Sequence, residues 1–346
     1  MGGGVVSVFS FVRQSKRSGF IQPKADAHVK AGLGIASSGP LSSATISVII
    51  PLYNHARYIK TTLESVLAQT SPVDEIVLID DGSSDDGFSI AQQILANIPN
   101  AILLKQENAG AHNTLNRAIQ MSHGDYLAVL NSDDMFAPDK IKRCRRILAE
   151  APSAGLIAGD VGFMDHMNKP YKKMNNWMKQ ANLFLNETGL PQLSLLFRMF
   201  VFTTSNMVFS RKLWEASNGF QPLRYCHDLD FLMFAYANTD VFLDRGHQHV
   251  IYRRHDSNTI KENEQKVDIE VAAVIAHTLN TNGPALFSED LNANDLKAFH
   301  RMLKRRKMSD LVLFFIAIEQ KFKTRAELYA YATDPNRLHM LRNALG

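Results

Sequence analysis

The apolar pattern of this chain begins abruptly at Ile46. Upstream the residues are Ser-, Gly- and Ala-rich. From there ISVII (46–50) is an unbroken apolar run with β-branched residues ending at Pro51, which predicts a buried strand. Ile59, Leu63, Val66 and Leu67 follow at helical spacing and predict a helix over 58–69. EIVLID (75–80) predicts a second buried strand, then a helix over 88–95 capped by Ser83 or Ser84. The alternation continues with strand 101–104, helix 113–121, strand 126–130 and a helix over 138–148 that has Pro138 in its first turn. Such alternation with short links predicts an α/β fold, an open and mostly parallel sheet with helices on both faces. Ligands of such sheets bind beyond the carboxyl ends of the strands. Polar clusters follow Ile50, Ile79 and Leu130, all at such ends.

After Ala158 the pattern loosens. Residues 163–195 are polar and Met/Asn-rich without a clean period and are expected to form a long lid or substrate segment. Strand character returns over 200–210 and around 242 and 251, helix over 228–237 and 262–281, and residues 284–346 read as a helical appendage. The expected organisation is an N-terminal extension of poor order (1–45), a main domain (46–283, with halves 46–160 and 161–283) and the C-terminal helical region (284–346).

Composition narrows the function classes. The chain has 346 residues, ample for a core without staples, and two cysteines, too few for a disulfide framework or a Cys-built zinc site. No run reaches the roughly 18–20 apolar residues of a membrane span. The apolar patch near the N-terminus precedes its basic residues, the reverse of a secretory leader, and Val6 breaks a myristoylation pattern. Charge is uneven: residues 1–45 carry +4, residues 297–346 carry +7 and the middle carries −7. An acidic body does not suit nucleic acid, which needs positive charge at the site itself. The basic ends fit either an anionic membrane surface or a solvated basic helix.

Four clusters carry candidate chemistry. Asp80-Asp81-Gly82-Ser83 closes the second strand, and Asp81 could accept a nucleobase N–H or a ribose hydroxyl, or simply cap the next helix. Asp133 and Asp134 end the strand 126–130. Paired anions repel unless a cation lies between them, which points to Mg²⁺ or Mn²⁺ shared with substrate phosphates, with helix capping as the other reading. CHDLDFLM opens a helix at Asp228, whose carboxylate the helix N-terminus keeps ionised and able to accept a proton. In YRRHDSN, Arg253 and Arg254 could meet diphosphate charge or form a surface patch, and His255 could complete a metal shell. GxGxxG, GxxxxGK[ST] and GxSxG are absent, which argues against nicotinamide oxidoreductases, P-loop NTPases and serine hydrolases.

Taken in order, SVIIPLYNHARYIKTTLESVLAQT, DEIVLIDDGSSDDG, NAGAHNTLN and GDYLAVLNSDD resemble family 2 of the glycosyltransferases, densely over residues 46–145 and more sparsely through TTSNMVFSRKLWEASNGF, HDLDF and RRHDSN. The resemblance implies the GT-A fold. It also implies an inverting, metal-dependent transfer from a nucleotide-sugar, taken as UDP-linked, to a glycan or lipid-linked acceptor. Pro51, Tyr53 and Asp81 would line the nucleobase pocket. Asp134 would hold Mn²⁺ or Mg²⁺, with Asp133 near the ribose or sugar, and Asp228 would be the general base. Three positions depart from the family: Asn131 replaces the first Asp of the DXD element, and His227 replaces the Glu beside the base. Leu115 stands where a phosphate-binding Arg is frequent, so His112 or Arg117 would take over that contact. The family further implies bacterial surface polysaccharide or lipopolysaccharide assembly in the cytoplasm, peripheral to the inner face of the membrane. A catalytically silent GT-A domain that binds carbohydrate or scaffolds a synthesis complex is the competing expectation, and retention of Asp81, Asp134 and Asp228 together argues against it. A nucleotidyltransferase is disfavoured because PLYNHARY is not a Gly-rich, basic phosphate loop.

Overall fold

The computed structural model describes residues 30–31, 41–171, 176–256, 258, 263–335 and 337. The first half runs β1 (Lys30–Ala31), β2 (Ile46–Leu52), α1 (Ala56–Leu67), β3 (Glu75–Asp80), α2 (Gly87–Leu95), β4 (Ala101–Lys105), α3 (Ala111–Met121), β5 (Tyr126–Val129) and β6 (Met135–Phe136). Then come α4 (Lys140–Glu150), β7 (Ala154–Asp165), α5 (Asn176–Thr188), α6 (Pro191–Phe197), β8 (Val208–Ser210), α7 (Arg211–Ala216) and α8 (His227–Asn238). The chain continues through β9 (Asp240–Arg254), α9 (Glu264–Asn282), α10 (Ala293–Arg306), α11 (Ser309–Ile318) and α12 (Arg325–Thr333).

The strands form one sheet in the order β1-β9-β7-β8-β5-β2-β3-β4, with β6 on β9. The pairs β2–β3, β3–β4, β2–β5, β7–β9 and β1–β9 are parallel. Strand β8 runs antiparallel between β5 and β7, and β6 is antiparallel to β9. The period of two in a strand sends alternate side chains to opposite layers. Ile49, Val77, Ile79, Leu127 and Val129 pack with α3, α6, α8 and α9, whereas Ile46, Val48, Ile50, Ile76 and Leu78 pack with α1, α2 and α4. Both faces are therefore covered, as the alternation predicts.

Three expectations change. Ser83 does not cap α2: its hydroxyl bonds the Asp80 carboxylate, and Gly87 N–H donates to Asp85 Oδ1 at 3.0 Å. Asp85 Oδ2 also accepts from Ala56 N–H at 2.8 Å, so one side chain serves both α1 and α2. The segment expected as a lid is largely core, because Leu193, Leu195 and Leu196 of α6 are fully buried and Phe184 of α5 stacks on Phe197 at 4.1 Å. Its uneven period comes from two short helices packed on different neighbours. The strands expected near 242 and 251 are the single strand β9, whose register on β7 jumps from Gly159↔Asp244 to Asp160↔Gln248, leaving Arg245–His247 as a bulge. The C-terminal region is helical as expected, and its helices bury Met302, Val312, Phe315, Leu328 and Tyr329 in the same apolar cluster as α8 and α9. Each fully buried large side chain there contributes about 1.5–3 kcal/mol. Residues 1–29 and 32–40 of the N-terminal extension lie outside the described residues.

Candidate active site

The site lies where the parallel strands end. Beyond β3, Gly82 takes φ +76°, and a Cβ there would come within 2.9 Å of the Asn108 backbone nitrogen. The turn leaves Asp81 aimed at the start of α3, where its carboxylate accepts from Gln106 Nε2 at 2.7 Å, Ala109 N–H at 2.8 Å and Gly110 N–H at 3.0 Å. Arg117 donates to Gln106 Oε1 at 2.7 Å, so it braces this network. Leu115 is buried in the apolar layer and turns away from the cleft. Pro51 lies in β2, and Tyr53, 49% exposed, stands just beyond its end.

Beyond β5 the two aspartates part company. Asp134 is fully buried: Oδ1 accepts Arg253 N–H at 3.0 Å and Oδ2 accepts the Ser205 hydroxyl at 2.6 Å and that of Thr203 at 3.4 Å. Burial, then the charge of Asp133, pushes its carboxyl up to about 8. Asp134 therefore does not have the open ligand geometry expected of a metal-binding carboxylate. Asp133 is also buried, but it turns its carboxylate toward two imidazoles. Its Oδ2 is 2.8 Å from His255 Nε2 and 4.0 Å from His55 Nε2, and one donor atom from each of His55, Asp133 and His255 lies within 4.8 Å of the others. Burial alone would raise the Asp133 carboxyl, but the His255 hydrogen bond and the two imidazoles outweigh it and hold it below the usual range. The His55 ring is oriented through Nδ1, 2.8 Å from the Ser132 hydroxyl, which leaves Nε2 facing the cluster. One carboxylate and two imidazoles on a rigid strand-end platform fit a divalent transition ion. Asn131, in place of the DXD Asp, bonds Ser205 and Thr203 and so ties this loop to residues 203–206.

Arg253 is neither a surface residue nor a diphosphate ligand. It is fully buried, donating to Asp133 O at 2.6 Å, Thr61 Oγ1 at 3.1 Å and the Asn168 side chain, with its guanidinium 4.7 Å over the Tyr58 ring. It fixes the backbone that carries Asp133.

Asp228 occupies the first turn of α8, and its Oδ1 accepts Leu229 N–H at 2.7 Å. The helix N-terminus does not keep it ionised as expected. Desolvation outweighs those backbone contacts and pushes the carboxyl up to about 7. Its neighbour His227 is held neutral, pushed down to about 4 by burial, with Nδ1 unpartnered among the described residues. His112 is half-buried and lowered by burial, then by His227, while Asp81 acts in the opposite sense. Asp81, His112 and His227 thus form one chain of neighbours. Burial raises the Tyr252 hydroxyl, and the charges of Asp134, Asp133 and Asp228 raise it further.

Two placements escape the sequence reading. Glu270 of α9 accepts three consecutive backbone N–H groups, Arg224 at 3.0 Å, Tyr225 at 2.7 Å and Cys226 at 3.0 Å, and so fixes the turn that launches α8. The Tyr329 hydroxyl of α12 donates to Asp230 Oδ1 at 2.6 Å, with Arg325 3.3 Å from the other oxygen. A lone Glu inside the apolar run VDIEVAAVIA was the available signal for the first. His55 was visible within PLYNHARY, but nothing local marks it as a partner of a residue 200 positions on.

Residues 47–216 match the sequence profile of glycosyl transferase family 2. Over this segment the chain belongs to that family. Relatives include the uncharacterized glycosyltransferase YibD of Escherichia coli K12, 42% identical over 97 residues (28% of each chain), and an Escherichia coli chondroitin synthase, 38% identical over 99 residues (29% of this chain, 14% of the relative). This chain therefore covers well under two thirds of either relative. Among solved structures, Staphylococcus aureus TarS in complex with UDP superposes with a TM-score of 0.56 at 19% identity, over 86% of this chain and 83% of that one. The mannosyltransferase PcManGT of Pyrobaculum calidifontis, in complex with GDP-Man and Mn²⁺, gives 0.52 at 17% identity, over 88% and 90%. The family 2 chain thus has the GT-A fold with a helical C-terminal region. Among the described residues no helix is long and apolar enough to cross a membrane.

Proposed function

We propose that this family 2 chain transfers a sugar from a nucleotide-sugar to a hydroxyl of a glycan or glycolipid acceptor, inverting the anomeric centre in one displacement. The observation that carries the reading is the trio His55, Asp133 and His255, three donor atoms within 4.8 Å at the carboxyl edge of the sheet. Its mixed carboxylate and imidazole set suits Mn²⁺ ahead of Mg²⁺, which favours oxygen ligands. Bound there, the ion would supply positive charge to the leaving diphosphate.

The chain's own groups divide the remaining work. Asp81, braced by Gln106 and α3, offers its carboxylate to a nucleobase N–H, with Pro51 and Tyr53 beside it. Asp134 holds the Asp133 loop through Ser205 and Arg253. Asp228, poised near 7, takes the proton of the acceptor hydroxyl as the acceptor oxygen bonds to the anomeric carbon and the carbon–oxygen bond to the diphosphate breaks. His227 and His112, between the Asp81 pocket and Asp228, contact the sugar or its phosphates as neutral imidazoles. We take residues 46–283 as the catalytic unit. The chondroitin synthase relative and the basic C-terminal region support a place in surface polysaccharide or lipopolysaccharide assembly, peripheral to the inner face of the membrane.

Calorimetric titration with UDP and GDP, each with Mn²⁺ and then with EDTA, tests the reading. Metal-dependent binding of one nucleotide is expected and fixes the donor class. Silence from both, in folded protein, would favour a carbohydrate-binding scaffold.

A further inference from the structure

A cleft of about 560 Å³ opens beside His255, and its walls include none of Asp81, Asp133 and Asp228. Its size matches a small-molecule site, and two cations project into it from different elements. Arg57 comes from the first turn of α1 and lies 5.7 Å over the ring of Tyr58. Arg254 comes from the end of β9 and lies 5.7 Å over Tyr171, itself 46% exposed. The hydrogen bond Arg57 makes is to the thioether sulfur of Met167, 3.3 Å away and a weak acceptor. Among the described residues neither guanidinium forms an ion pair. His166 lines the same wall, and among the described residues Asp256 is the one carboxylate on it, which leaves the balance of those residues positive.

The adjacent Arg253 shows the contrast. Its guanidinium is consumed by backbone and side-chain acceptors under Tyr58, whereas Arg57 and Arg254 lie across aromatic faces and, among the described residues, pair with no carboxylate that would compete with an oxyanion. The donor's diphosphate charge is already provided for by the trio at Asp133. A second anion-directed pair, reached past His255 and flanked by two tyrosine rings, suits a charged sugar unit or a phosphate on the other substrate.

We propose that this cleft binds an anionic group of the acceptor, a sugar carboxylate or a phosphate, next to the hydroxyl that reacts. The inference rests on the transferase reading and narrows its acceptor to an acidic glycan or glycolipid.

The test loads the full chain with Mn²⁺ and whichever of UDP or GDP binds. It then titrates glucuronate, glycerol 1-phosphate and, as a neutral control, methyl glucoside. The anions should bind the loaded protein, the glucoside at least tenfold more weakly, and the tighter anion identifies the carboxylate or phosphate source. Arg254→Gln and Arg57→Gln should each weaken anion binding by about tenfold while leaving nucleotide affinity and the thermal midpoint unchanged. Equal binding of the glucoside would overturn charge selection. Competition between the anions and the nucleotide, or a loss of nucleotide affinity in Arg254→Gln, would assign the cleft to the donor and overturn the proposal. The nucleotide titration reads the transferase proposal separately: anion binding without nucleotide binding would reject transfer while leaving an anion site, and nucleotide binding without anion binding would reject only the acidic acceptor.

Discussion

The two halves of the molecule place their functional groups by different means. From β2 to β5, Asp81 and Asp133 stand directly after buried parallel strands, and contacts near the strand ends hold them. Asp228 instead starts a helix whose position is set from far along the chain, by Glu270 on α9 and by Arg325 and Tyr329 on α12. The first half positions Asp81 through topology and near neighbours, whereas Asp228, like the Asp133 loop beneath Arg253, depends on buried polar ties, which are costly to leave half-made.

That contrast can be broken at either side. Asp228→Asn should lower turnover by about 10³-fold while nucleotide affinity stays unchanged, since it removes a base and no donor contact. In the wild type kcat/KM should fall tenfold per pH unit below about 7, because the deprotonated carboxylate is the active form. The same raised carboxyl means folding takes up a proton, so its contribution to stability is lost as pH rises from the ordinary Asp value to about 7. Asp228→Asn should therefore be more stable than wild type by about 1–3 kcal/mol at pH 8 and equal to it at pH 3, as read by urea unfolding. Normal turnover in this variant would remove Asp228 from the reaction.

Asp133→Ala should weaken Mn²⁺-dependent nucleotide binding by about 100-fold in calorimetry and leave the fold intact. Retained affinity would separate the trio from the metal. Glu270→Ala removes the shared acceptor of three N–H groups, that of Cys226 buried, and should cost about 2–4 kcal/mol in urea unfolding, with turnover falling more than nucleotide affinity. If both fell equally, the two halves would not be energetically separable. Tyr329→Phe is the mildest probe, expected at about 1–2 kcal/mol, because Arg325 still faces Asp230.

The same division explains what was legible in the sequence. Buried parallel strands announce themselves as Val/Ile/Leu runs, so β2 to β5 and the aspartates after them could be read directly. The relative roles of Asp133 and Asp134 could not, because adjacent residues at a strand end face opposite ways. Here the fully buried one is defined by Ser205 and Arg253, 71 and 119 positions away. The helical character of 176–197 was hidden because α5 and α6 are short and their apolar positions answer to several neighbours. The raised carboxyl of Asp228 depends on burial, which no local pattern encodes, and His255 was legible as a ligand only in combination with its position after a strand.

The bulge in β9 bears on how this architecture tolerates changes of length. Arg245–His247 separate a first stretch registered on Ala154–Gly159 from a second registered on Asp160–Asp165, and Gly246 there takes φ +83° with open space around it. A residue gained or lost inside the bulge would be absorbed by the exposed turn. The same change between Gln248 and Arg254 would slide His255 by one position and reverse the face on which it emerges. Insertions and deletions accumulating in descendants of this chain should therefore gather at 245–247 and spare the seven residues that follow.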